Sequence, residues 1–333
     1  MSGFDFLHMP SLTDRDSAAY KDWYHLNLFE HRSGRIGLIN TSLHGDPLDS
    51  RSRALGTALL HDPERGWFGN VEVSPISEAN VSVDQIGLGG VAIAVNPAED
   101  RLMASVALSQ DLYRARVSAR PAARPYRVEF PAPFGSGWIS WSALPRLTLS
   151  GNYSLFRESH DLAGVSAYHD HNWGRWFWGE DVGWEWGAFV GEDKGPVFVL
   201  SVVTDRAHKC RGRPQLMLET GFGRRIFGGG MVEVAFDGNL QFRLRRLPGA
   251  LAALHQDRVQ PWLPHRVAIR AGSGLDWVRI EFCGRAAAQL IAADPMKRGY
   301  GFIHEIVGNF SAEGRVRDRD VSTRGLAVFE YVQ

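Results

Sequence analysis

The sequence predicts an all-β protein made of two tandem antiparallel β-barrels related by internal duplication. Three observations predict it. Apolar residues recur with a period of two, as on half-buried strands, in many short stretches bounded by Gly, Pro, Asn or Asp. The regular crossover helices that a parallel sheet requires are missing from the pattern. The chain also repeats itself, because a shift of 161 residues lays the segment around Trp23 on the segment around Trp184.

In the first half the alternation places strands at residues 25–29, 36–39, 71–73, 91–95, 103–108 and 126–130. In the second half it places them at 197–203, 231–236, 240–244, 266–269, 277–282 and 326–332. Two short stretches with helical periodicity, 51–60 and 248–257, are expected as helices. The Gly-rich run 221–230 lacks the Gly-Lys-Ser/Thr ending of a phosphate loop and is expected as a hairpin loop. His44-Gly45-Asp46-Pro47 reads as a turn, and the basic run 206–213, with Cys210, as a solvated connector.

The repeat has several landmarks. Trp23, Gly34, Ile36, Leu38 and Ile39 fall on Trp184, Gly195, Val197, Val199 and Leu200, so each half opens with a hairpin. Gly164 to Tyr168 falls on Gly325 to Phe329 at the same shift. Gly151-Asn-Tyr-Ser154 also looks like Gly308-Asn-Phe-Ser311, which implies four extra residues in the charged loop 315–320. The expected domains are 1–178 and 179–333, each about the size of one eight-stranded barrel enclosing a small ligand.

Composition narrows the function. Lys plus Arg and Asp plus Glu are both 37, so the basic excess that a phosphate backbone demands is lacking and no nucleic-acid partner is expected. Cys210 and Cys283 make neither a disulfide framework nor a CxxC ligand pair. The first 25 residues hold no apolar signal-peptide core, and no run of about 18 apolar residues exists. The expectation is a cytoplasmic protein without a membrane span, touching a membrane at most transiently to collect substrate. The 11 Trp point to a large β core or an aromatic-lined pocket.

The concentrated polar signal is Tyr168-His169-Asp170-His171-Asn172-Trp173, whose matching positions in the second half, Phe329-Glu330-Tyr331-Val332-Gln333, share the strand frame and not the polar cluster. On a strand, Tyr168, Asp170 and Asn172 share one face, and His169, His171 and Trp173 share the other. A carboxylic acid held among aromatic rings stays protonated near neutrality and can protonate an alkene. Asp170 is therefore the expected acid, with His169 or His171 tuning it or positioning water. Tyr168, Trp173, Trp176, Trp178, Trp184 and Trp186 are expected to shape the pocket and shield a developing cation, with Glu185 as a further polar contact. A structural hydrogen-bond knot, ordinary tryptophan packing, or a metal held by the His-x-His pair are the competing readings. No metal and no cofactor is expected, because no third ligand has diagnostic spacing.

Asp22-Trp23-Tyr24, Tyr168 to Gly174 and Gly183-Trp184-Glu185-Trp186 resemble the lipocalin-like carotenoid 1,2-hydratases and their AttH-type relatives, and more distantly the fungal lipocalin-like Diels–Alderases. The resemblance spans most of the chain and implies two lipocalin-like barrels. It implies cofactor-free chemistry on a hydrophobic unsaturated substrate, isoprenoid or polyketide-like, by hydration or cyclisation. Pericyclic catalysis by shape and a non-enzymatic carrier of an apolar ligand are the alternatives. His171-Asn172-Trp173 matches the His-x-Trp element implicated in the hydratases. Their Tyr-x-Asp element has no clean match, since the next strand ends Val203-Thr204-Asp205. That departure touches hydration specifically.

Overall fold

A computed structural model describes residues 3–11, 17–108, 112–128, 130–240, 244–246, 262–294 and 299–333, with backbone only at 244–246. Its strands, in chain order, are β1 (Tyr20–Glu30), β2 (Arg35–His44), β3 (Arg53–Asp62), β4 (Gly66–Pro75), β5 (Asn80–Ser82), β6 (Gln85–Leu88), β7 (Val91–Asn96), β8 (Arg101–Ala107), β9 (Tyr113–Pro121), β10 (Tyr126–Arg127), β11 (Ala132–Phe134), β12 (Gly137–Leu155), β13 (Glu158–Asp161) and β14 (Ser166–Arg175). The second set is β15 (Gly183–Gly191), β16 (Val197–Thr204), β17 (Gln215–Thr220), β18 (Gly223–Gly228), β19 (Val232–Asp237), β20 (Leu244–Arg246), β21 (Arg266–Ser273), β22 (Asp276–Ala293), β23 (Tyr300–Val316) and β24 (Arg319–Val332). Among the described residues only short 3-10 turns break this pattern, and no helix is long and apolar enough to cross a membrane.

The chain divides into two compact units, Met1–Glu180 with Ala293–Tyr300, and Asp181–Ala292 with Gly301–Gln333. The first sheet runs β4-β3-β2-β1-β14-β12-β9-β8-β7-β6-β5, and the second runs β18-β17-β16-β15-β24-β23-β22-β21-β19. The second order reproduces the first nine strands of the first. This shared topology is the duplication, and it holds where sequence identity has faded. In the first unit the sheet wraps on itself, because β2 and β3 face β6 and β7 across a core of Leu26, Leu28, Ile39, Ala58, Ile86 and Ile93. The second unit encloses its own core around Phe189, Phe198, Phe282, Phe310 and Phe329.

Two expectations are corrected. The stretch 51–60 forms β3, not a helix, because it pairs with β2 on one side and β4 on the other. Its apolar residues fit either period, and strand pairing decides. The stretch 248–257 lies outside the described residues. The charged loop 315–320 is not an insertion. β12–β13 and β23–β24 are the same hairpin 161 residues apart, each turning on two positive-φ residues, Phe156 and Arg157 or Arg317 and Asp318. Two consecutive positive-φ residues suit the strand twist in a two-residue hairpin. Counted from that hairpin, Gly151 and Gly308 are not equivalent.

A slip of one residue has a larger consequence. β1 and β15 keep the shift of 161, but the first half carries one extra residue between Asp161 and Ala167, where β13 gives way to β14, and β24 has no such break. His25 pairs with Asp170, and its counterpart Trp186 pairs with Glu330. Asp170 is thus matched by Glu330 and His171 by Tyr331. One residue of register exchanges the faces of a strand, so the apparent loss of the acid from the second half disappears.

Candidate functional site

β1 and β14 build the site because they are neighbours in register. Tyr24 lies opposite His171, Asp22 opposite Trp173 and Leu26 opposite His169. Directly opposed residues share a face. Tyr24, Leu26 and Ala167 belong to the first core, so Asp22, His169, His171 and Trp173 point into the first barrel. Continuing sideways, Thr41, Tyr24, His171 and Ser142 form one polar row across β2, β1, β14 and β12. The next row inward is Ile39, Leu26, His169 and Leu144, apolar except for one histidine. The barrel end therefore carries a polar lip above an apolar interior.

Asp22 is the hub of that lip. It is fully buried and accepts from His171 Nε2 at 2.6 Å, Tyr20 Oη at 2.8 Å and the His8 backbone N–H at 2.7 Å. Three donors satisfy a buried carboxylate, whose desolvation would otherwise be costly. Burial and the Asp22 charge push the Tyr20 and Tyr24 hydroxyls well above the usual phenol range, so both remain neutral donors. His171 Nδ1 is buried with no hydrogen-bond partner. Below it, burial pushes the His169 imidazole down to about 3, helped by the neighbouring His171. Its neutral ring donates from Nδ1 to the His25 carbonyl at 2.8 Å.

The chain's own beginning covers the lip. Phe4 and Leu7 are buried in the first core, with the Phe4 ring 5.4 Å from that of His169. His8 stacks on Trp173 at 4.0 Å, and Tyr24 Oη donates to the Asp5 carbonyl at 3.0 Å.

The expected site residues separate. Asp170 lies on the opposite face from His169 and His171. It accepts from Tyr168 Oη at 2.9 Å and Asn172 Nδ2 at 2.6 Å, and is buried. Of the tryptophans, Trp173 stands beside His171, 5.0 Å between ring centres. Trp176 and Trp178 meet edge to face at 6.1 Å, with Trp23 and Phe134 around Trp176. Beside them Lys21 is fully buried, donates to the Ala19 and Trp176 carbonyls, and is pulled down to about 8 by burial. Trp178 Nε1 donates to His44 Nδ1 at 3.2 Å.

Trp184, Glu185 and Trp186 belong to β15 in the second unit. Trp184 Nε1 donates to Glu330 at 2.7 Å, and Trp186 pairs with Glu330 across the ladder. Glu185 pairs with Tyr331, a member of the second core, and so faces the second barrel's interior. It is fully buried and accepts from Arg211 Nε at 2.9 Å and His208 Nδ1 at 3.1 Å. Tyr331 stacks on His208 at 3.6 Å. The basic run 206–213 is therefore not only a solvated connector, since it delivers the two partners of a buried acid.

Sequence reasoning missed Asp22, Tyr20, Tyr24 and His8 as one group with His171. The signal was Asp22 itself, an acid on the same strand face as Tyr20, Tyr24, Leu26 and Leu28. Nothing in the sequence alone said that this face opposed His171.

No protein-family model matches the chain, and no curated protein matches it. Solved structures share its fold, and three of them illustrate the likeness. An AttH-type protein from Nitrosomonas europaea is 13% identical, with TM-score 0.67 and 96% of each chain covered. Kievitone hydratase from Nectria haematococca is 12% identical, with TM-score 0.63, 99% of this chain and 98% of that one covered. CghA is 10% identical, with TM-score 0.62, 97% of this chain and 91% of that one covered. The fold is thus the lipocalin-like one implied by the sequence resemblance.

Proposed function

We propose that the chain is an enzyme acting on a hydrophobic, unsaturated small molecule, by acid-assisted hydration or cyclisation of a C=C bond at the polar lip of the first barrel. One observation carries the reading: a buried His171–Asp22 pair stands directly above an apolar interior. The shared fold of a protein named kievitone hydratase supports the reaction class.

Asp22 holds the His171 ring through Nε2, which leaves Nδ1 to exchange a proton with bound substrate. Proton transfer from Nδ1 to an alkene carbon breaks the π bond and leaves a carbocation on the adjacent carbon. The faces of Trp173 and Tyr24 shield that cation. In hydration, water supplies its oxygen to the cation and returns one proton to Nδ1. In cyclisation, a second double bond of the substrate attacks instead, and loss of a C–H proton to Nδ1 restores the catalyst. Neither route consumes a cofactor. Substrate of any size displaces Phe4 and Leu7, so segment 3–10 acts as the door.

The test incubates a panel of isoprenoid and polyketide polyenes with the protein in ¹⁸O-labelled water. Hydration incorporates the label, cyclisation gives an unlabelled isomer, and both are lost in Asp22→Asn. Unchanged turnover in Asp22→Asn, or binding of every polyene without product, overturns the reading. Pericyclic catalysis by shape is the second reading. It is favoured by the apolar character of the row beneath His171, and it predicts an unlabelled cycloadduct still formed by Asp22→Asn.

A further inference from the structure

We infer that Asp5, His8 and His171 form a binding site for a divalent transition-metal ion, which clasps segment 3–10 to β14. One donor atom from each of the three residues lies within 4.8 Å of the other two. Two imidazoles and a carboxylate are a donor set suited to zinc-like ions, with one position left open.

A second observation points the same way. The His171 side chain is 99% buried, and its Nδ1 has no hydrogen-bond partner. Its other nitrogen is held by Asp22 at 2.6 Å. Metal-bound histidines are arranged in this manner: one nitrogen on the ion, the other donating to a carboxylate that fixes the ring. Asp22 is itself fixed by Tyr20 and by the His8 backbone, so the ring is preset before any ion arrives. His8 is held flat on Trp173, and its Nε2 lies 3.5 Å from Asp5 Oδ2. Contraction of these three donors onto one ion needs movement mainly in segment 3–10. Arg127, half exposed and 3.4 Å from Asp5, has solvent to swing into as the cation replaces it.

The consequence is regulation. The ion takes Nδ1, the nitrogen assigned above to proton transfer, and fastens the segment that covers the barrel. Metal loading closes and silences the lip, and a chelator reopens it. This consequence rests on the proposed acid–base role of His171, whereas the binding itself does not.

The experiment titrates zinc alone into the full chain by calorimetry, and cobalt(II) as a coloured surrogate by visible absorption. The expected result is one saturable equivalent per chain. His8→Ala and Asp5→Asn each weaken it at least tenfold, and Asp22→Asn weakens it about 10–100-fold. A Cys210→Ser, Cys283→Ser double variant leaves it unchanged. Hydrogen exchange at residues 3–10 slows on loading in the wild type and not in His8→Ala. Absence of saturable binding, binding that survives His8→Ala, or loss of binding in the cysteine double variant overturns the inference. Binding is read without substrate, so a chain that turns over no polyene still tests the site. A chain that hydrates but ignores zinc refutes the clasp alone.

Discussion

His171 Nε2 donates to Asp22 Oδ1 across 2.6 Å, although 149 residues separate them. The contact exists because the last strand of the first barrel returns to lie beside its first strand. Ring closure of this kind converts two unremarkable positions into one buried acid–base pair. It also leaves Asp170 to a different neighbourhood, between Tyr168 and Asn172.

The two acids therefore predict different outcomes. Asp22→Asn removes the acceptor that orients His171 and is expected to lower kcat by about 10²–10⁴, the usual worth of positioned acid–base catalysis. Asp170→Asn keeps the size and most hydrogen bonding of a group facing away from that ring, and is expected to lower kcat less than tenfold. Steady-state kinetics on one substrate compares them. The reverse ranking would return the chemistry to Asp170.

Much of the fold was legible because period-two alternation reports which face is buried, and each barrel is buried on one face. The opening hairpins, with Trp23 and Trp184, could be matched for the same reason. The 51–60 stretch misled because Arg53-Ala-Leu-Gly-Thr-Ala-Leu-Leu60 carries apolar residues at both helical and strand spacings, and its two neighbouring strands settle the matter. The Asp170–Glu330 equivalence was hidden by one extra residue between β13 and β14, which no periodicity reveals. At the site, the His169/His171 face was readable from alternation. Asp22 as their partner was not, because long-range register is written in strand order and not in local spacing.

Acid should destabilise the protein before its carboxylates are titrated. Burial holds His169 near 3 and His44 well below its ordinary value, so both rings stay neutral when folded. The unfolded chain takes up their protons below about pH 6.5. Their contribution is complete above that pH and is lost as pH falls toward 3, on the order of a few kcal/mol in all. Urea midpoints measured between pH 7 and 4 should fall steadily. His169→Gln should flatten that decline, and a slope identical to wild type would refute the assignment.

Segment 3–10 should behave as part of the core. Phe4 is 2% exposed, whereas Phe6 nearby is 46% exposed. Phe4→Ala is expected to cost about 3 kcal/mol through lost burial and a residual cavity. Phe6→Ala should change stability by no more than about 0.5 kcal/mol. Chemical denaturation reads both. Equal effects would mean that the segment does not dock in solution, which would also remove the door invoked for substrate entry.

The second barrel makes its own prediction through Glu185. Its carboxylate is fully buried and held by Arg211, whose side chain is 32% exposed, and by His208. Glu185→Gln leaves Arg211 without its charge partner but keeps the shape, and is expected to cost about 1–3 kcal/mol. Arg211 also donates to the Val234 carbonyl and covers the Phe236 ring at 4.5 Å, so Arg211→Met loses packing and charge together. The two side chains touch, so the double variant should cost less than the sum of the singles by about 1 kcal/mol or more. A double-mutant cycle by urea denaturation measures that coupling. Strict additivity would show that Glu185 is held by burial and His208 alone, with Arg211 contributing only its stem.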